Sequence, residues 1–336
     1  MHTTGADHLP ETGESEIPLC DRFPGLRNVP RAHLCILPSP VQLLPAFGTG
    51  GDIWIKRDDL NAPRCGGNKV RALEFLLGSV RRGDAVVTVG GAGSTHVLAT
   101  AICAARIGAT TTALRWTHDM NPVADLVASR IATASPRSRV GRSAVVAMAT
   151  AQLRARMTSE HYIPLGGSSP VGVLGHVNSG LELAAQIAAG DLPLPNQIVL
   201  PLGSGGTAAG LALGLEIAGL RIDVVGARVG PRFFVHRRRV LNLARNTAKL
   251  IERLTGEHLP DVDSRRFRIA HHVYGGAYGR PLQAATEASA MLQGAAGIRL
   301  DGTYSAKAFA AALDEARTAQ GTTLFWLTFD SRCLTN

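Results

Sequence analysis

Three observations predict an α/β chain built on open, parallel-rich sheets covered by helices. From Leu34 onward, short β-branched runs alternate with Ala/Leu-rich stretches at helical spacing, the signature of consecutive βαβ units. Each strand run is apolar nearly throughout, as expected when both faces of a strand are covered. Glycine is the compositional outlier, with 37 of 336 residues against an average of about 7%. Such an excess favours tight loops at which backbone approaches a ligand.

The chain is long enough for two domains or one large α/β unit. Hydrophobic residues at 45% and charged residues at 18% exclude disorder and coiled coil for its bulk. No repeat appears at a period of about 20–50 residues, which excludes solenoids and propellers. No apolar run reaches the roughly 18 residues needed to cross a bilayer. Residues 1–16 carry Asp7, Glu11, Glu14 and Glu16 without apolar periodicity and read as a frayed tail rather than a secretory leader. Cys20, Cys35, Cys65, Cys103 and Cys333 form an odd, scattered set without CxxC spacing, which predicts reduced thiols in a cytoplasmic protein. The 35 basic against 26 acidic residues give +9, a balance suited to an anionic partner, either a phosphate cofactor or nucleic acid.

Taken in order, the strand runs are Ile53–Ile55, Ala85–Val89, Thr110–Leu114, Gln197–Leu202, Asp223–Ala227 and Thr323–Leu327. Helical spacing predicts helices at Asn68–Arg81, His96–Ile107, Val177–Ala189 and Gly206–Ala218, with apolar residues recurring every three or four positions. The Ala/Ser/Arg-rich segment Asn121–Gly141 gives no clear period. Residues 238–254 place Val240, Leu241, Ala244, Ala248, Ile251 and Leu254 at helical spacing, with a basic stripe that includes Arg237–Arg239. No aromatic platform or zinc spacing accompanies the stripe, so a solvated helix face is favoured over a nucleic-acid surface.

Three glycine loops carry the chemistry. Gln197–Leu202 runs directly into Gly203, Ser204, Gly205, Gly206 and Thr207. Converging backbone N–H groups and the following helix N-terminus make that segment a phosphate cradle. Gly203, Gly205 and Ala208 also match G-x-G-x-x-A, but the next strand ends in Arg228 rather than the acid a dinucleotide ribose requires. The second loop, Cys65-Gly66-Gly67-Asn68-Lys69, holds a lysine at a glycine-bordered helix start. A helix dipole beside such an amine lowers its pKa and suits it to Schiff-base chemistry with a carbonyl cofactor. The third loop, Gly90–His96, puts Ser94 and Thr95 at an N-cap, where they cap the helix or present hydroxyls and amides to a carboxylate. Neither Ser94 nor Ser204 lies in G-x-S-x-G, which excludes the serine-hydrolase elbow. No paired metal-ligand spacing exists, so no metal is expected.

With these loops in this order, from about Pro38 to Thr328, the chain resembles the pyridoxal-phosphate enzymes of tryptophan-synthase-β-like fold (fold type II). Within them it is most similar to the D-cysteine desulfhydrase and 1-aminocyclopropane-1-carboxylate (ACC) deaminase family. The motifs carrying the resemblance are Ile55–Leu60, Gly66–Lys69, Gly166–Pro170 with Gly172 and Gly175, Gly203–Thr207, Tyr278–Pro281, and Tyr304 with Lys307. The resemblance implies a large cofactor domain of residues 17–72 and 176–336, with a small domain of residues 73–175. It implies that Lys69 carries the Schiff base, with Asn68, Thr95, Gly203, Ser204, Gly205, Gly206, Thr207 and Thr328 around the cofactor. Ser94, Thr95, His96, Tyr278 and Tyr304 would meet the substrate. Lys69, Ser94, Tyr278 and Tyr304 would be the catalytic set.

Thr328 matches the family's hydroxyl partner for the pyridine nitrogen, which leaves that nitrogen unprotonated and favours β-elimination. Ser305 and Thr328 follow the desulfhydrase branch, whereas the cyclopropane deaminases carry an acid and an apolar residue there. The implied function is therefore α,β-elimination on a small amino acid, D-cysteine first, in a homodimer. An ACC deaminase, a β-replacement enzyme, and a biosynthetic lyase or isomerase acting on an unusual amino acid are the alternatives. A non-catalytic cofactor- or nucleic-acid-binding protein is the remaining one. Three positions depart from the family pattern: Thr95 for Asn, Ala72 for Lys, and Phe329-Asp330 for two glycines.

Overall fold

The computed structural model describes residues 17–318 and 321–334; the predicted tail lies outside them. Among the described residues ten strands form two sheets. They are β1 (Val41–Leu43), β2 (Ile53–Arg57), β3 (Ala85–Gly91), β4 (Thr110–Trp116), β5 (Arg139–Gly141), β6 (His161–Ile163), β7 (Gln197–Leu202), β8 (Asp223–Arg228), β9 (Phe267–Ala270) and β10 (Thr323–Leu327). The larger sheet runs β1-β2-β10-β7-β8-β9, and the smaller runs β5-β4-β3-β6. Every pairing is parallel except that of β1 with β2.

Strand alternation explains the continuous apolar runs. Ile198, Leu200 and Leu202 of β7, with Leu324 and Trp326 of β10, join one core. Val199, Phe325 and Leu327 join the core on the opposite face. A strand covered on both sides has no polar face to keep.

The helices are α1 (Pro18–Arg22), α2 (Asn68–Leu76), α3 (Thr95–Arg106), α4 (Pro122–Ala134), α5 (Ala144–Met157), α6 (Pro170–Ala189), α7 (Gly206–Ile217), α8 (Arg237–Thr255), α9 (Gln283–Ala296) and α10 (Ser305–Thr318). Two differ from the sequence expectation. The first is α2, which ends at Leu76 rather than Arg81. Gly78 there lies so close to the Pro30 carbonyl that a Cβ would come within 2.0 Å of its oxygen, and the chain must turn. The second is α6, which starts seven residues before Val177 because Ser169 accepts a hydrogen bond from Gly172 N and Pro170 opens the first turn; both are helix-start signals. The segment without a clear period contains α4 and β5, with Asn121 capping α4.

Small residues bring α2, α6 and α7 together. A Cβ on Gly175 would lie 2.0 Å from the Arg71 carbonyl oxygen, and one on Gly214 would lie 2.5 Å from that of Val177. Across this packing runs a buried ionic network. Arg71 donates to Asp58 and Glu182. Lys56 pairs with Glu182 at 2.6 Å, and the Trp326 indole donates to Asp58 at 2.8 Å. The network ties β2, α2, α6 and β10 beneath the loop that carries Lys69.

Candidate active site

The carboxyl ends of parallel strands from both sheets meet around one cavity, where open α/β sheets place their ligands. The end of β7 opens into Gly203–Thr207, the end of β10 into Thr328 and Phe329, and the end of β3 into Ser94–His96. The cavity has a volume of about 380 Å³. It brings together Asn68, Lys69, Ser94, Thr95, His96, Gly203, Ser204, Gly205, Gly206, Thr207, Tyr278, Tyr304 and Thr328, which is every site residue expected from the sequence.

Lys69 stands in the first turn of α2. Gly67 precedes the helix at φ +124°, a conformation that L side chains rarely adopt. Antiparallel pairing of Gly67 with Phe329, together with the Asn68 N–H donating to the Thr328 carbonyl at 3.1 Å, fastens the lysine loop to the end of β10. The Lys69 Nζ donates to the Gly166 carbonyl at 3.3 Å. Burial lowers its pKa from 10.5 to about 8, since a desolvated ammonium is disfavoured.

The glycine loop fits a phosphate. Gly205 adopts a left-handed conformation at φ +94° as the N-cap of α7 and supplies no side-chain cap, so the first-turn N–H groups remain for a ligand. Ser204 accepts from Ser168 at 2.7 Å, and Thr207 accepts from Asn68 at 2.7 Å. The cradle is thereby tied to the lysine loop. Arg239, from the predicted basic stripe, stacks 4.3 Å over the Phe234 ring and reaches the Ser204 carbonyl at 3.4 Å.

Ser94 accepts from Val97 N at 3.4 Å as the cap of α3. His96 is buried, and its Nε2 lies 3.2 Å from the Thr88 hydroxyl. Burial, with Lys69 nearby, lowers its pKa to about 3, so the ring is neutral at ordinary pH. The Tyr278 and Tyr304 hydroxyls are hydrogen-bonded to each other. Burial pushes Tyr278 up to about 12 and raises Tyr304 as well, which keeps both protonated.

The departures from the family pattern have definite places. Phe329 lines the cavity and also packs with Val97, Leu98 and Ile131. Asp330 accepts from Gly66 N at 3.1 Å and pairs with Arg332 at 2.8 Å, so its carboxylate is committed to the loop. Ala72 is fully buried, and a Cβ on Gly167 would lie 3.2 Å from its methyl group.

Three site features escaped the sequence. Asn61 accepts from Gly67 N at 2.9 Å and donates to Gly67 O at 3.1 Å. His118 packs edge-on against Tyr278 with ring centroids 4.8 Å apart. An apolar wall includes Trp116, Met148 and Phe233. Asn61 follows the quoted Ile55–Leu60 motif directly, but nothing local marks the loop it closes.

The family model for pyridoxal-phosphate dependent enzymes matches residues 33–328. The chain is 38% identical over 333 residues to nocardicin C-9' epimerase of Nocardia uniformis subsp. tsuyamanensis, covering 90% of this chain and 94% of that protein. It is 32% identical over 310 residues to D-cysteine desulfhydrase of Salmonella choleraesuis, covering 86% and 89%. A crystal structure of an ACC deaminase homologue superposes with a TM-score of 0.76 at 30% identity, covering 93% of this chain and 95% of that one. A threonine deaminase from Solanum lycopersicum, at 15% identity and a TM-score of 0.63, shares the fold. A chain that matches these relatives along nearly its whole length, with a phosphate cradle and a desolvated lysine in one cavity, belongs to the pyridoxal-phosphate-dependent enzymes, in their ACC deaminase and D-cysteine desulfhydrase group.

Proposed function

We propose that the protein is a lyase that removes the α proton of an amino acid with Lys69 and expels a group from Cβ, in the manner of a D-cysteine desulfhydrase. The observation that carries this reading is the desolvated Lys69 amine beside the α7 N-terminus in one cavity. Bound pyridoxal phosphate supplies a carbonyl for the substrate amine and a ring that acidifies the Cα–H bond. Gly203–Thr207 would hold its phosphate and Thr328 would meet its ring nitrogen, while Asn68 and Thr95 flank it. Ser94, at the cap of α3, would receive the substrate carboxylate. Lys69, as a neutral amine, accepts the α proton. With D-cysteine the Cβ–S bond breaks, and addition of one water balances the products as pyruvate, sulfide and ammonia.

A second reading, epimerisation at Cα, is favoured by the Tyr278–Tyr304 pair. Two protonated hydroxyls in the cavity could return a proton where Lys69 had taken one. The 38% identical epimerase supports the same reading.

The proposal includes a division into a cofactor domain of residues 17–72 and 176–336 and a small domain of residues 73–175. The six-stranded and four-stranded sheets support it. It also includes a cytoplasmic location, in keeping with cysteines that form no disulfide among the described residues, and a homodimer, which sedimentation velocity tests. Incubating the cofactor-loaded protein in D₂O with D-cysteine, and in parallel with larger amino acids, separates the two readings. Pyruvate formation supports elimination. Deuterated cysteine of inverted configuration, without pyruvate, supports epimerisation. Recovery of unlabelled D-cysteine and of unlabelled larger amino acids would sink both.

A further inference from the structure

We infer that the cavity accommodates, beyond the reacting carbon, an uncharged aromatic-sized group of the substrate, clasped between α5 and the 231–235 segment. The inference rests on the amino-acid reading above and names the substrate class for it.

The cavity is divided chemically. Most of its polar groups lie at Lys69, Ser94, the glycine loop and Thr328, with the Tyr278–Tyr304 pair and His118 packed together on one side. The remaining wall is formed by Trp116 at the end of β4, Val145 and Met148 from α5, Leu165, and Phe233 with Phe234. Val145 and Met148 are three residues apart and share a helix face. Among the described residues no aspartate, glutamate or arginine lines the cavity, and His118, which does, has its pKa lowered by burial, so a charged distal group would find no fixed opposite charge on that wall.

Two of these side chains stand in water. Val145 is 71% exposed and Phe233 85%, and both border the cavity. Covering them would remove apolar area from solvent. Held by the glycine loop and Lys69, the cofactor would leave the α5 and 231–235 walls to the substrate. The thiol of cysteine, a single atom beyond Cβ, would leave them bare, whereas a benzyl-sized group would reach them. The wall is also braced, since Arg239 stacks on Phe234 and reaches the Ser204 carbonyl.

The test compares calorimetric binding of S-benzylcysteine and cysteine, in both configurations, to the cofactor-loaded protein. The accepted enantiomer of S-benzylcysteine is expected to bind about tenfold or more tightly than the corresponding cysteine, from burial of the aromatic ring. The double variant V145S/F233S changes only exposed side chains, and its melting temperature checks that the fold is kept. That variant should reduce the preference at least severalfold. Equal binding of the two ligands, or a preference untouched in the double variant, overturns the inference. Hydrogen exchange at Cα in D₂O is followed in the same samples. Its absence with every ligand would refute the proposed reaction, while a Val145- and Phe233-dependent preference would still uphold the pocket.

Discussion

Asn61 grips Gly67 through both backbone groups, and Gly67 in turn sets the angle at which Lys69 enters the cavity. A Cβ on Gly67 would lie 2.5 Å from the Thr328 carbonyl oxygen at a φ that already disfavours side chains. Gly67→Ala is therefore expected to lose about 1–3 kcal/mol and to weaken cofactor retention, measured by urea denaturation and by the visible band after dialysis. Buried groups whose pKa values are pushed down set the acid limit, Glu182 and His96 among them. Burial raises the Glu182 carboxyl, but Arg71 and Lys56 outweigh it and hold it at about 2 against an ordinary 4.5. His96 is held at about 3 against 6.5 by burial and Lys69. In both cases the unfolded chain binds the proton more readily, so stability falls as pH falls. The His96 contribution declines below about pH 6.5 and that of Glu182 below about 4.5. Melting temperatures recorded from pH 7 to 3 should fall in that order, and a flat profile would contradict the assignment. Lys69 was legible because glycines border it in sequence; Asn61 was not, because its role exists only once the loop has closed.

Among the elements, α2, α6 and α7 decide whether the lysine loop has a floor. Gly180 and Gly214 let α6 and α7 approach, and a Cβ on Gly214 would lie 2.5 Å from the Val177 carbonyl oxygen. Gly214→Leu is expected to cost about 1–3 kcal/mol or more, measured as a lowered denaturation midpoint. Arg71 carries more. Replacing it with Met would leave the buried Asp58 carboxylate without a cation and Glu182 with Lys56 alone, at a cost of about 3–5 kcal/mol. A change below 1 kcal/mol in urea titration would show that the network is not structural. Six of the strands were legible to within two residues, since runs such as Gln197–Leu202 are covered on both faces, whereas the short strands β1, β5, β6 and β9 went unread because three or four residues carry no recognisable run. The helix ends were less so, because the end of α2 is set by the chain passing Pro30, a contact no local pattern announces. The Ala/Ser/Arg-rich stretch hid α4, whose buried stripe is only Ala124, Val127 and Ile131.

For the whole molecule, the two parallel sheets present the carboxyl ends of their strands to one cavity. The glycine loops were legible separately; their convergence is a property of the fold. Two arginines of the basic stripe have partners within the fold. Arg237 donates to the Phe267 carbonyl, and Arg239 braces the cavity wall. The apolar wall from α5 and residues 231–235 was not legible, because its side chains lie far apart in sequence and have no common period. Hydrogen exchange at Cα in D₂O is the measurement that decides whether Lys69 moves the α proton, as proposed. Wild-type protein should exchange the α hydrogen of its accepted amino acid, and Lys69→Ala should slow exchange by about 10²–10⁴-fold while the fold, read by circular dichroism, is retained. Exchange at the wild-type rate in Lys69→Ala would rule Lys69 out as the group that takes the proton.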